Sequence, residues 1–205
     1  RSPTVTGVQT CALPICEGAA AVTLRERAFQ LRGGLWTALF LLILAAARPT
    51  PRSVALGLVP VALGQLWRLW AAGSIGRYRG EAVGAERLVT WGPYALMRNP
   101  LYFGNGLIGL GWGLMAGPWA AGTFLAGFVL LYSLVIIPHE ESFLLQKFGE
   151  EYRTYRTRVG AFFPRSWPGT VRGPFSWAVL RRSEVHTVLS TVVGTLLIAA
   201  KLLLP

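Results

Sequence analysis

The chain has 205 residues, of which 53% are hydrophobic and only 14% charged, and a formal net charge of +11. Ordinary soluble domains carry about 25% charged residues, so this composition is that of one membrane-embedded domain. The positive charge does not point to nucleic acid, because the basic residues lie between long apolar runs and not together on one solvated face.

In chain order, residues 5–15 (Val-Thr-Gly-Val-Gln-Thr-Cys-Ala-Leu-Pro-Ile) resemble an in-frame translation of a sequencing-library adapter. Residues 1–17 are therefore read as an artefact, leaving 18–205 as a single domain. Both cysteines, Cys11 and Cys16, fall in the excluded stretch, so no disulfide, thiolate metal site or cysteine nucleophile is expected, and no metal.

A bilayer core of about 30 Å needs roughly 20 residues of helix. Five stretches are read as spans, making an all-α polytopic membrane helix bundle. The first is 31–47, free of charge from Gly33 to Ala47, and the second is 53–72, whose Arg68 is expected to snorkel to the interface beside Trp67 and Trp70. Residues 101–138 hold no charge and are divided by Ala116-Gly-Pro118, which predicts a helical hairpin with arms over 101–116 and 119–137. The first arm is rich in glycine, which favours close helix packing. The fifth span is 185–204, and the tail before it, 165–184, reads as an irregular interfacial loop with Trp167 and Trp177 as anchors.

With a cytoplasmic N-terminus, residues 1–32, 73–100 and 139–184 face inside and hold sixteen of the twenty Lys and Arg residues. Only Arg48, Arg52 and Lys201 fall outside, so the orientation obeys the positive-inside rule.

Two cytoplasmic segments carry chemical interest. One, 89–104, concentrates Gly, Pro, Tyr and Arg at the start of the third span, with a turn expected at Gly92-Pro93. Its bland reading is an interfacial connector in which Tyr94 and Tyr102 are belt residues. The other begins where the fourth span ends, at Pro138-His-Glu-Glu141, and continues with Glu141, Leu145, Phe148, Tyr152, Tyr155 and Val159 on one helical face that Gly149 is placed to interrupt. All nine acidic residues are Glu, and adjacent carboxylates at a membrane exit are costly unless cations or donors meet them.

Gly92-Pro-Tyr94, Arg98-Asn-Pro-Leu-Tyr-Phe-Gly104, Glu140-Glu141 with Leu144, Phe148-Gly149, Tyr152, Tyr155 and Arg158-Val159 together resemble the isoprenylcysteine carboxyl methyltransferase family and the related phospholipid methyltransferases. The likeness covers about 80–165. It implies an integral membrane methyltransferase using S-adenosylmethionine on a lipid or prenylated, amphiphilic acceptor, in a bacterial inner membrane with a cytoplasmic site. On the same likeness Tyr94, Arg98, Asn99, Pro100, Tyr102, Gly104, Glu140 and Glu141 line the cofactor site, and Glu140, Glu141 and Arg158 act in catalysis. The cofactor is a sulfonium, an ammonium and a carboxylate on an adenosine, which fits a mixture of acidic, basic and aromatic groups.

Asn99 stands where the family usually has His, and an amide cannot titrate near neutrality, so no general base is assigned there. His139, beside the glutamate pair, is read as an interfacial residue. A carboxylate acceptor needs placement only, whereas an amine must lose a proton, for which Glu140 or Glu141 is the candidate. Two other readings compete. A membrane reductase of the sterol type would need a nicotinamide cofactor and a basic cluster such as Arg77, Arg79 and Arg87. A non-enzymatic lipid-binding protein would use the motif residues structurally.

Overall fold

The computed structural model describes residues 18–75, 87–168 and 170–203. Residues 1–17, with both cysteines, and Arg77 and Arg79 lie outside that range. Among the described residues seven α-helices follow in order: α1 (Gly18–Ala46), α2 (Pro51–Ile75), α3 (Pro100–Ala116), α4 (Pro118–Leu131), α5 (Ile137–Arg158), α6 (Trp177–Ser183) and α7 (Val185–Ala200). Among the described residues there is no strand, only an isolated bridge between Met97 and Gly160. The all-α membrane bundle is therefore the architecture.

Local chemistry sets the helix ends. Thr50 and Ser53 exchange side-chain and backbone hydrogen bonds at 2.9 and 3.1 Å, a reciprocal cap that starts α2, with Pro51 in its first turn. The hairpin between α3 and α4 turns at Gly117, whose φ of 136° excludes other residues without strain, and Pro118 then starts α4. At the far end of α7 the Lys201 ammonium donates to the Leu44 and Ala45 carbonyls at 2.9 Å, satisfying the end of α1.

Three helical stretches are long and apolar enough to cross a bilayer: Pro51–Ile75, Pro118–Arg158 and Val185–Leu203. The apolar part of α1, Gly33–Ala46, rises about 21 Å and α3 about 26 Å, so both are shorter than a bilayer core. Of the five expected spans, three are thus matched by length among the described residues, while α1 and α3 are shorter apolar helices.

The tightest packing is between α2 and α3. A Cβ on Gly57 would overlap the Gly111 carbonyl oxygen and one on Gly111 that of Gly57, and Gly64 and Gly104 oppose each other in the same way. Each helix presents its two glycines seven residues apart, so the antiparallel backbones touch at two levels. On the other side of α3, Trp36, Phe124, Phe128 and Tyr132 form a tilted aromatic stack with centroids 4.3–6.1 Å apart.

Arg68 corrects the sequence reading. It does not snorkel outward: its side chain is 4% exposed and pairs with Glu184, 1% exposed, at 3.1 Å inside the bundle. Two buried opposite charges with several hydrogen bonds cost less than one guanidinium in hydrocarbon.

Replacing Gly111 by Val should wedge α2 from α3 and cost about 1–3 kcal/mol. Gly122→Val, where a Cβ meets nothing within 4 Å, is the control. Thermal unfolding in detergent should show a lower Tm for the first and an unchanged Tm for the second.

Candidate functional site

Connectivity brings the motif segments to one end of the bundle, where α2 finishes, α3 begins and α4 passes into α5. The first segment makes a turn at Gly92, with φ 60°, then one 3-10 turn over Gly92–Ala95, and hands over to α3 at Pro100. The second leaves α4 through a π-helical turn, Tyr132–Ile136. Such a turn shifts the register by one residue and is frequent at functional sites.

The helix α5 is not a straight amphipathic rod. Gly149 has φ 52° and ψ −120°, and the chain folds back there. Glu141 and Arg156 would be about 22 Å apart along an uninterrupted helix. Instead Arg156 Nε lies 3.3 Å from Glu141 Oε2. The face from Glu141 to Val159, interrupted at Gly149 as expected, is closed on itself, with Tyr152, Tyr155 and Val159 packed with Leu88 and against Leu144, Leu145 and Phe148.

Arg98 joins everything. Its Nε and Nη2 donate to Glu141 Oε1 at 2.9 and 2.6 Å, and its Nη1 donates to the carbonyls of Arg156, at 3.3 Å, and Val159. One guanidinium from the first segment thus holds both arms of the α5 hairpin, and Glu141 takes a cation on each oxygen. Beside it Tyr102 donates its hydroxyl to Glu140 Oε1, and its ring packs on Tyr132 at 4.7 Å. Tyr155 donates to the Tyr94 carbonyl at 2.7 Å, fastening the 3-10 turn to α5.

The tail after α5 is irregular over 165–168 and 170–176, as expected, before the short helix α6, and backbone hydrogen bonds tie it to the motif loop. Gly160 and Ala161 carbonyls accept from the Arg98 and Asn99 amides at 2.8 and 3.1 Å, and Val171 from Gly92 at 2.8 Å. Trp91 Nε1 donates to Pro174 at 3.0 Å, and Ser176 N to Gly73 at 2.8 Å. This strap satisfies the backbone donors of the motif loop.

Of the residues singled out by sequence, the structure brings Tyr94, Arg98, Tyr102, Glu140 and Glu141 to one end of the bundle, where Arg98 pairs with Glu141, Tyr102 bonds Glu140 and the Tyr94 carbonyl accepts from Tyr155. Asn99 turns its side-chain amide to the Ala161 carbonyl at 3.2 Å, and Pro100 is buried in the first turn of α3. Gly104 faces α2, against Gly64 and Arg68, and Arg158 is exposed at the end of α5. Arg156, not Arg158, meets the glutamate pair; no sequence signal separated them, because the choice depends on the fold-back at Gly149. Arg87, from the basic trio considered for a nicotinamide cofactor, stacks over Trp91 at 4.7 Å. Next to the network, an apolar cavity of about 240 Å³ lies between α1, α3, α4 and α7, bounded by Trp36, Phe40, Trp112 and Phe128, with Asn105 and Thr187 as polar lining.

Residues 53–151 match the family model described as phospholipid methyltransferase. The chain is 39% identical over 131 residues to the cobalt-zinc-cadmium resistance protein CzcN of Cupriavidus metallidurans, covering 63% of this chain and 56% of that protein. It is 38% identical over 112 residues to the nickel-cobalt-cadmium resistance protein NccN of Alcaligenes xylosoxydans xylosoxydans, covering 53% and 48%. A probable protein-S-isoprenylcysteine O-methyltransferase of Oryza sativa subsp. indica is 33% identical over 114 residues, covering 53% and 59%. Residues 53–151, just under half of the chain, thus carry its likeness to a family of membrane methyltransferases. It spans about half the length of the curated relatives it matches. The matched region takes in the Arg98–Glu141 and Tyr102–Glu140 contacts, while Arg156, the strap, α6 and α7 lie beyond it.

Burial raises the phenols of the α5 hairpin above their ordinary value of 10.0, Tyr152 to about 12 and Tyr155 upward as well. The folded state therefore keeps protons that the unfolded chain releases: this contribution is complete below pH 10 and is lost as pH rises from about 10 to about 12. The Tm should stay level to near pH 10 and then fall. Tyr152→Phe, with no proton to lose, should show a shallower fall in the same scan.

Proposed function

We propose that the chain transfers a methyl group from S-adenosylmethionine to a lipid or lipidated acceptor at the cytoplasmic face of a bacterial inner membrane. The observation that carries this reading is the joining of the two motif segments through Arg98–Glu141 and Tyr102–Glu140. Separately each segment has a bland explanation; as one polar network at the end of an apolar bundle they do not.

The donor set suits the cofactor. Glu140 offers a carboxylate beside the Tyr102 and Tyr132 rings, a surrounding that favours a sulfonium or ammonium. Glu141 is neutralised by two guanidiniums, which leaves a positive balance to meet a carboxylate, with exposed Arg158 nearby in sequence. Tyr94, Pro100 and Asn99 shape the wall, and Gly104 contributes by letting α2 come close. Bound there, S-adenosylmethionine supplies a methyl group activated on sulfur.

The chain's own task is then to hold the reactants in line and keep water out. Glu141 is committed to Arg98 and Arg156 and acts as an anchor. Glu140, bonded to a phenol hydroxyl, is the better placed group to take a proton if the acceptor is an amine. The apolar cavity exceeds the roughly 150 Å³ that suffices for benzene, so it has room for part of an acceptor chain. Positive charge between the spans supports the cytoplasmic orientation.

Calorimetry on protein in nanodiscs, with S-adenosylmethionine and NADPH titrated separately, tests this. The first should bind and the second should not. Glu140→Gln should weaken binding by about tenfold or more, equivalent to about 1.4 kcal/mol, without lowering the Tm by more than a few degrees. Binding of NADPH alone would move the family resemblance to a reductase, and binding of neither to a folded sample would leave a lipid-binding protein.

A further inference from the structure

The buried ion pair inside the bundle connects to the glutamate site. Arg68 of α2 gives Nε and Nη2 to Glu184 Oε2 at 3.2 and 3.1 Å, Nη2 also to Glu184 Oε1 and to Thr187 Oγ1, each at 3.3 Å, and Nη1 to Asn105 Oδ1. Every nitrogen of the guanidinium is thereby assigned. Glu184 sits at the junction of α6 and α7, and its backbone carbonyl receives Val188 N at 2.8 Å. Both charges are nearly sealed from solvent.

Asn105 lies three residues after Tyr102 on α3, so the two share a face. The Tyr132 side chain meets Asn105, and its ring packs on Tyr102. Tyr102 in turn bonds Glu140. A continuous line of contacts therefore runs from Glu184 through Arg68, Asn105, Tyr132 and Tyr102 to the Glu140 carboxylate. Its first member lies outside the region matched by the methyltransferase family.

We propose that Arg68, fixed by Glu184, is a positioning residue for methyl transfer: it holds Asn105 and the two tyrosines so that Glu140 is presented to the site. A buried charge pair with only a packing role would be replaceable by apolar side chains of similar volume. Arg68 instead spends its third nitrogen on Asn105, whose neighbours line the route to Glu140, and only a planar guanidinium can face both partners at once. The proposal rests on Glu140 belonging to the transfer site, as read above.

The double variant Arg68→Met/Glu184→Leu removes both charges together and leaves none stranded, so it should fold with a Tm near that of the parent. Hydrogen exchange followed by mass spectrometry reads positioning without cofactor: residues 132–141 should exchange about tenfold faster in the variant, while 118–125 should not change. With cofactor, kcat should fall by about tenfold or more while KM for the acceptor changes little, and the pH profile of kcat should shift. Glu184→Gln, which keeps one acceptor oxygen for Arg68, should lie between the two. A folded double variant whose 132–141 exchange matches the parent would overturn the proposal, as would parental kcat and pH profile. If the parent itself shows no S-adenosylmethionine binding, the function reading fails while the exchange result still decides whether Arg68 positions Glu140. Should the double variant not fold, the Asn105→Leu variant, which cuts the same line beyond the ion pair, takes its place in both measurements.

Discussion

The site depends on one arrangement: a carboxylate, Glu141, held between Arg98 and Arg156. The two cations come from elements that would be far apart without it, one from the loop before α3 and one from the returning arm of α5. Removing either would leave Glu141 partly compensated in a place where water is scarce, and a buried charge without its partner costs several kcal/mol. The same guanidinium that binds Glu141 also caps the carbonyls at the end of the hairpin, so ion pairing and backbone satisfaction are met by the same atoms. The reversal at Gly149, the docking of the strap and the placement of the 3-10 turn all follow once this clamp is closed.

Around it, charge and hydrocarbon are separated by depth. The aromatic stack from Trp36 to Tyr132 lines the apolar interior, and Tyr102 carries it to the first carboxylate. Tyrosine suits this boundary because its ring packs as a hydrocarbon while its hydroxyl serves a polar partner. The glutamates accordingly sit at the rim of the bundle, bonded and paired, and the only charge pair set deeper, Arg68–Glu184 among the described residues, neutralises itself.

Much of this was legible in the sequence. The apolar runs, the break at Gly117-Pro118, the turn at Gly92 and the glutamate pair rest on local chemistry, and local chemistry survives folding. The motif spacing identified which segments would meet. What stayed hidden required knowing where the chain goes after a glycine: Gly149 was visible as an interruption, but not the reversal that selects Arg156 over Arg158. Arg68 was misjudged for the same reason, since its partner Glu184 is 116 residues away and in sequence looks like a surface charge before the last helix. The strap could not be foreseen because its bonds are made by backbone atoms, which composition does not distinguish.

The seam between α2 and α3 has a further consequence for how this molecule can change over generations. Where Gly57 meets Gly111 and Gly64 meets Gly104, a carbonyl oxygen of the facing helix stands where a side chain would begin. Any residue with a side chain is larger, so drift at these four positions has one direction only, and although Met115 or Leu107 beside them could shrink, the facing carbonyl oxygens cannot be removed by any substitution. Variation is left to the outer faces of α1, α4 and α7, where side chains such as Leu42, Leu130 and Leu196 are exposed. The two-helix unit acts as a fixed datum, and change in the bundle must arise from the helices that surround it.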